Sequence, residues 1–143
     1  SADNELGLAE FTDITKAVTS AIGDPASVPA GQYAQEALTN LGICDEVLAK
    51  ASLGTNVTEV LNWVAEGSAQ AGIVYATDAA TTDKVRVIAQ APAGSLAEPA
   101  IYPAGLVASS AHQEEARAFL DFLQSDEAMA VFAEYGFTSH ADA

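Results

Sequence analysis

Basic residues are scarce in this chain, which has five Lys and Arg against 20 Asp and Glu and a formal net charge of −15 over 143 residues. Nucleic acids and anionic membrane surfaces both attract proteins through clustered Lys and Arg side chains, so the composition argues against either partner. A small anion is not excluded as a ligand, because backbone N–H groups at the start of a helix bind anions without any basic side chain.

Cysteine, histidine and long apolar runs are also rare. Cys44 is alone, so no disulfide can form within the chain, and no apolar run reaches the roughly 18 residues of a membrane-spanning helix. The two histidines, His112 and His140, form no zinc-type spacing with the cysteine. Neither a G-x-S-x-G nucleophile motif nor a Gly-rich phosphate loop occurs. We therefore expect that the protein is not an enzyme.

What the chain does have is a regular alternation of apolar strand and helix patterns, which predicts an α/β fold with a largely parallel sheet flanked by helices. Strands are predicted at residues 19–23, 70–75, 84–89 and 101–108, with a connector and brief strand at 53–55. Helices are predicted at residues 8–18, 29–41, 45–51, 56–66, 111–123 and 126–135.

Helix-capping patterns support several of these starts. Asn56 followed by Glu59, and Ser110 followed by Gln113, have the spacing of a capping box. Ser125 precedes two acidic residues and is predicted to cap the last helix.

Two predicted helix starts and the end of one predicted strand are places of the kind where ligands bind in an open α/β sheet. Pro29 suits the first helical position. The N–H groups of Ala30 and Gly31 that follow it are expected to be unpaired, and these residues have almost no side chain that could block an anion. Val57 begins the next such helix, and Tyr75 ends a strand with a neutral O–H donor. Taken singly, these are an ordinary helix start, a core residue and a rim aromatic. Together they predict a pocket of neutral donors for a small oxyanion.

Several short segments share their residues and spacing with one family of proteins. They are Gly23–Pro25, Val28–Ala34, Glu36–Leu38, Asn56–Val57, Gly72–Tyr75, Asp78–Ala79, Tyr102–Pro103, Ala118–Leu123 and Tyr135–Thr138. This pattern resembles the periplasmic molybdate-binding proteins, the solute receptors of ABC importers, and it runs from about Leu8 to Thr138.

The resemblance implies one lobe of a type II periplasmic-binding-protein fold with two C-terminal helices. Residues 1–108 would be the second lobe without its first strand, and residues 109–143 would be a helical tail that packs on a first lobe. The chain has no counterpart of that first lobe and its Ser-rich segment, so we expect a fragment of a two-lobed receptor.

For the ligand, the resemblance implies molybdate or tungstate, bound by hydrogen bonds without a counter-charge. The family's second-lobe donors fall on the backbone N–H groups of Ala30 and Val57 and on the Tyr75 hydroxyl. No cofactor is implied, and no side chain would coordinate the metal directly because the oxyanion is bound through its oxygens. The implied partner is the permease of an ABC importer, and the implied location is extracytoplasmic, either in the periplasm or as a surface lipoprotein.

The tail would leave an apolar face uncovered, with candidate residues Phe119, Phe122, Phe132 and Phe137. Exposed apolar patches drive association, so we expect dimerisation or exchange of the segment 111–137. Other functions stay open at this point: a receptor for sulfate or another tetrahedral oxyanion, the effector domain of an oxyanion-sensing regulator, or an enzyme on a similar scaffold. A regulator would normally carry a DNA-binding helix-turn-helix, and the sequence contains none.

Overall fold

A three-stranded parallel sheet with strand order β2-β1-β3 forms the centre of Ser1–Pro99, the first of two units into which the chain divides. The second unit is Ala100–Ala143. The structure, a computed structural model, describes residues 1–3 and 6–139, so His140 lies outside the described residues. The sequence-based boundary at residue 108 falls inside the second unit, and the packing of residues 109–143 on a first lobe stays a prediction.

The strands are short and in register. β1 is Ser20–Gly23, β2 is Ala51–Gly54 and β3 is Ala71–Gly72. Ser20 pairs with Ala51 on one side and with Ala71 on the other. The helices of the first unit are a 3₁₀ helix at Phe11–Lys16, α1 at Pro29–Asn40, α2 at Cys44–Leu48, α3 at Val57–Ala65 and α4 at Ala76–Ala79.

Helices cover both faces of this sheet. On one face, Val60 and Val64 of α3 pack against Ala21 of β1. On the other, a buried cluster of Ile14, Leu38 and Val47 contacts Ala71 and Ile73. Positions alternate between the two faces along a strand, so Ala71 and Gly72 lie on opposite faces. Because helices cover both faces, β1 is buried along its whole length.

Local signals explain where the main helices begin and end. Pro29 is the first residue of α1, and its fixed φ favours a helix start. Asn56 caps α3 by accepting a hydrogen bond from the Glu59 N–H. Gly42 and Gly67 follow α1 and α3 with φ of 73° and 79°, a backbone conformation that residues other than glycine rarely adopt. The predictions of helices 29–41 and 56–66 are confirmed.

Two predicted strands do not form. Residues 84–89 and 101–108 are irregular, and Val87 and Val107 are 58% and 67% exposed. A strand needs a partner edge, and within the described residues the sheet ends at β2 and β3. The predicted buried strand 70–75 is reduced to the two residues of β3, and the residues around it are only partly buried.

Smaller corrections concern helix ends. The predicted helix 8–18 is a 3₁₀ helix of six residues. Ala51, predicted as the end of a helix, is the first residue of β2. The Ser110 hydroxyl accepts a hydrogen bond from the His112 N–H rather than from Gln113. The Gln113 amide instead donates to backbone oxygens that include Val107 O, so the predicted capping box is wrong.

The second unit contains α5 at Gln113–Leu123 and α6 at Asp126–Glu134. Ser125 caps α6, as predicted, by accepting a hydrogen bond from the Ala128 N–H at 3.3 Å. Phe119 and Phe122 are exposed, in line with the prediction for the tail. Phe132 and Phe137 are partly buried against each other, with ring centroids 5.9 Å apart, so their predicted exposure is wrong.

None of the helices in the described residues is long and apolar enough to cross a membrane.

Candidate functional site

The three predicted donor residues lie at one edge of the sheet. β1, β2 and β3 are parallel, so their carboxyl ends meet at the same edge. A short link joins the end of each strand to a helix: β1 to α1, β2 to α3 and β3 to α4. Ala30 is in the first turn of α1, Val57 begins α3, and Tyr75 directly precedes α4. The topology therefore brings together the three places that were predicted separately.

At the start of α1, one backbone donor is available. Ala30 is 5% exposed, and in the described part of the chain its N–H donates to no acceptor. The Gly31 N–H does donate, to Val28 O at 2.9 Å. The expectation that Gly31 also has an unpaired N–H is therefore wrong: the first turn closes tightly and leaves only Ala30 as a donor.

Gly31 has a steric role instead. A Cβ built on it would collide with the carbonyl group of Gly23, the last residue of β1. The backbone of α1 thus passes directly over the end of β1, with no side chain between them. This close approach places the Ala30 N–H near the carboxyl edge of the sheet.

The start of α3 has a modified capping box. Asn56 Oδ1 accepts from the Glu59 N–H at 2.9 Å. The Glu59 carboxylate accepts from the Thr55 N–H at 2.7 Å and from the Thr55 hydroxyl at 3.0 Å, one residue earlier than the predicted partner Asn56. Within the described residues the Val57 N–H donates to no acceptor, as expected for the first residue of a helix.

Tyr75 is held at both its backbone and its ring. Its N–H donates to the Asp78 carboxylate at 3.2 Å, and its ring meets that of Tyr33 edge to face, with centroids 6.4 Å apart and an interplanar angle of 67°. Burial raises the pKa of Asp78, and the hydrogen bond from Tyr75 partly opposes this shift.

Sequence reasoning assigned no role to Tyr33 or Asp78. Both occur in the segments that carry the family resemblance, and the signal that could have singled them out is spacing. Tyr33 is three residues after Ala30 on the same helix, and Asp78 is three residues after Tyr75, where the side chain can reach back to a helix-capping residue.

No basic side chain is part of these helix starts. The chain's bases are Lys16, Lys50, Lys84, Arg86 and Arg117. Lys50 precedes β2 and so lies at the opposite edge of the sheet, where its ammonium group donates to Thr15 O and to Glu46. The acids Glu59 and Asp78 are in the first turns of α3 and α4. The helix N–H groups are therefore the donors that this edge offers to a negative charge.

The arrangement places neutral hydrogen-bond donors at one edge of the sheet. Among the described residues, no group of three or more His, Cys, Asp and Glu side chains could hold a metal ion. His112 is in the second unit, where it precedes α5.

Comparison with known proteins places the chain in a family. The family described as bacterial extracellular solute-binding protein matches residues 1–138. YvgL of Bacillus subtilis, named as an ABC transporter substrate-binding lipoprotein, is 43% identical over 129 residues, covering 90% of this chain and 49% of that protein. The molybdate-binding protein ModA of Haemophilus influenzae is 40% identical over 141 residues, covering 97% and 55%. The chain thus spans about half the length of these curated relatives.

A solved structure agrees with this match. It is described as the substrate-binding domain of a molybdenum ABC transporter from Clostridium difficile, and it superposes with a TM-score of 0.80 and 35% sequence identity. The superposition covers 97% of this chain and 60% of that one. The predicted fold class, an α/β lobe of a periplasmic binding protein, is confirmed. The chain belongs to the family of bacterial extracellular solute-binding proteins.

Proposed function

We propose that this chain is part of the extracytoplasmic receptor of an ABC importer and that it binds molybdate or tungstate. The donors are the N–H groups of Ala30 and Val57 and the hydroxyl of Tyr75. The observation that carries the proposal is the buried, unpaired Ala30 N–H, at the same sheet edge as the other two donors. The names of the relatives from Haemophilus influenzae and Clostridium difficile support the choice of ligand.

Neutral donors suit a tetrahedral dianion. Helix N–H groups attract negative charge in a water-poor site without needing a cation. A protonated phosphate would bring an O–H group into a site of donors, where that proton would have no acceptor. Sulfate has the shape and charge of molybdate but is smaller, and donors fixed by helix starts cannot close around it. A rigid site of this kind therefore prefers the larger anion.

Proline at the first position of α3 tests the site most sharply. Val57→Pro removes the proposed N–H donor, and proline is favoured at this position, where Asn56 is already extended. We expect molybdate binding, measured by equilibrium dialysis with metal analysis, to weaken roughly tenfold to hundredfold, the range for a hydrogen bond to a charged group. Tyr75→Phe should have a similar effect because it removes only the hydroxyl.

Matched controls occur in the second unit. Asp126→Pro places proline at the first position of α6, after the extended residue Ser125, and Tyr135→Phe removes an exposed hydroxyl. Both controls should bind molybdate like the unmodified chain. Equal binding of sulfate and molybdate would favour a general oxyanion receptor. Unchanged binding by both Val57→Pro and Tyr75→Phe would rule out Val57 and Tyr75 as donors.

The location and the transport partner are part of the same proposal. A receptor of an ABC importer acts outside the cytoplasm and delivers its ligand to a membrane permease, and the name of the Bacillus subtilis relative describes such a lipoprotein. In cells that produce the protein, protease added to spheroplasts should digest it while a cytoplasmic marker survives. Protection equal to that of the marker would contradict the proposed location.

We also propose that the exposed apolar side chains of α5, of α6 and of Tyr135 directly after α6 drive self-association of the chain. The support is the exposure of Phe119, Phe122, Val131 and Tyr135, of which the first two stack with ring centroids 6.3 Å apart. Light scattering should give a mass that rises with concentration towards that of a dimer, and Phe122→Glu should shift it back to the monomer. A monomer mass at every concentration would contradict this proposal and its variant, the exchange of segment 111–137.

A further inference from the structure

The contact between Tyr33 and Tyr75 joins two of the helix starts that form the proposed site. Tyr33 is on α1, three residues after Ala30, and Tyr75 directly precedes α4. Both rings are partly buried, and they meet edge to face with centroids 6.4 Å apart. Such a pair contributes an orientation preference beyond burial, because the edge of one ring is attracted to the face of the other.

The backbone of Tyr75 is restrained separately. Its φ and ψ are −70° and 152°, and its N–H donates to the carboxylate of Asp78 at 3.2 Å. With the backbone held by α4, the position of the hydroxyl depends on rotation about the two side-chain torsions of Tyr75. A ring packed against Tyr33 cannot make these rotations freely, because they would separate the edge from the face.

We propose that Tyr33 is a positioning residue that fixes the Tyr75 hydroxyl for the bound anion. The proposal rests on the proposed function, since Tyr75 is one of its donors. Tyr33 and the Ala30 donor are on the same helix, so the ring pair also sets the spacing between the Ala30 N–H and the Tyr75 hydroxyl. A fixed spacing suits one size of anion, and a mobile hydroxyl could follow a smaller one. Tyr33 thereby contributes to the preference for molybdate over sulfate.

The test is a double-mutant cycle on the full chain. Tyr33→Leu removes the ring, Tyr33→Phe keeps it, and Tyr75→Phe removes the hydroxyl while leaving the ring pair in place. We expect Tyr33→Leu to weaken molybdate binding about threefold to tenfold, the range of an aromatic pair, and to lower the molybdate-to-sulfate affinity ratio. Tyr33→Phe should stay within about twofold of the unmodified chain.

The decisive comparison is made in the Tyr75→Phe background. If Tyr33 acts through the hydroxyl, Tyr33→Leu will change molybdate binding little once that hydroxyl is absent. Gln35→Leu, at an exposed position on α1, is the matched control and should bind normally in both backgrounds. Tyr33→Met also removes the ring, but its flexible chain adapts to the space that is left, so it replaces Tyr33→Leu if that variant does not fold.

Two results would overturn the proposal in distinguishable ways. Equal losses from Tyr33→Leu with and without the Tyr75 hydroxyl would mean that Tyr33 only supports the local packing. The proposed function would then still stand, because the unmodified chain binds. Absence of molybdate binding by the folded, unmodified chain would instead overturn the proposed function itself.

Discussion

Gly31 is where the end of β1 and the start of α1 touch backbone to backbone. A Cβ at this position would collide with the carbonyl group of Gly23, and neither backbone can move aside without displacing its helix or strand. We expect Gly31→Ala to lower the free energy of unfolding by at least ~2 kcal/mol, measured by urea denaturation. Gly105→Ala is the control, because open space surrounds Gly105. Equal stability of the two variants would show that α1 does not approach β1 so closely.

Ser20 is buried in β1, and its hydroxyl has no hydrogen-bond partner in the described structure. An unsatisfied buried hydroxyl lowers stability, so Ser20→Ala should raise the free energy of unfolding by about 1 kcal/mol. Ser95 is the matched control, since it is equally buried but its hydroxyl donates to Pro92 O at 2.7 Å. Ser95→Ala should lower the free energy of unfolding by about 1 kcal/mol. Effects of the same sign in both variants would contradict this account.

Helix α3 depends on its capping residue more than on its interior polar residues. Asn56→Ala removes the acceptor of the Glu59 N–H and should lower the free energy of unfolding by about 1 kcal/mol. Asn62→Ala on the same helix changes an exposed interior position and should be neutral or slightly stabilising, because alanine favours helix. Chemical denaturation of the two variants measures the difference. A loss at Asn62 as large as that at Asn56 would argue against the cap.

Helices were easier to predict than strands because their signals are local. Pro29 at the start of α1, Asn56 before α3 and Ser125 before α6 act within one turn of the residues that they cap. A strand is defined by a partner that is distant in sequence. The alternating pattern at residues 84–89 predicts a strand, but no described strand pairs with it. Apolar alternation shows that a segment can pair, not that an edge is available.

In the candidate site, too, some features follow from local sequence and others depend on residues that are distant in sequence. An unpaired N–H at Ala30 or Val57 follows from the position of the residue at a helix start, which sequence reveals. The bond from the Gly31 N–H to Val28 O depends on how tightly the first turn closes where α1 approaches Gly23. The pair of Tyr33 and Tyr75 depends on where α1 and α4 lie around the sheet. Spacing could have singled out Tyr33 as a residue close to Ala30, but neither the Gly31 bond nor the contact between the two rings follows from the sequence.

Over the whole chain, a net charge of −15 surrounds a site proposed for a dianion. Repulsion between like charges extends about 30 Å at 0.01 M salt and about 8 Å at 0.15 M. We therefore expect molybdate to associate at least a few-fold faster at the higher sodium chloride concentration, the reverse of anion binding to a basic site. Stopped-flow measurements over this range test it. An association rate that falls with added salt would indicate a local basic site and contradict the account.

We propose that three neutral donors at the carboxyl edge of one sheet bind molybdate. An amide and tyrosine-ring NMR titration of the chain with molybdate, and separately with sulfate, tests it most directly because this method detects weak binding. We expect saturable, molybdate-selective shifts concentrated at the Ala30 and Val57 amides and the Tyr75 ring. A folded chain whose spectrum shows no shifts at these three residues, or shifts only elsewhere, would contradict it.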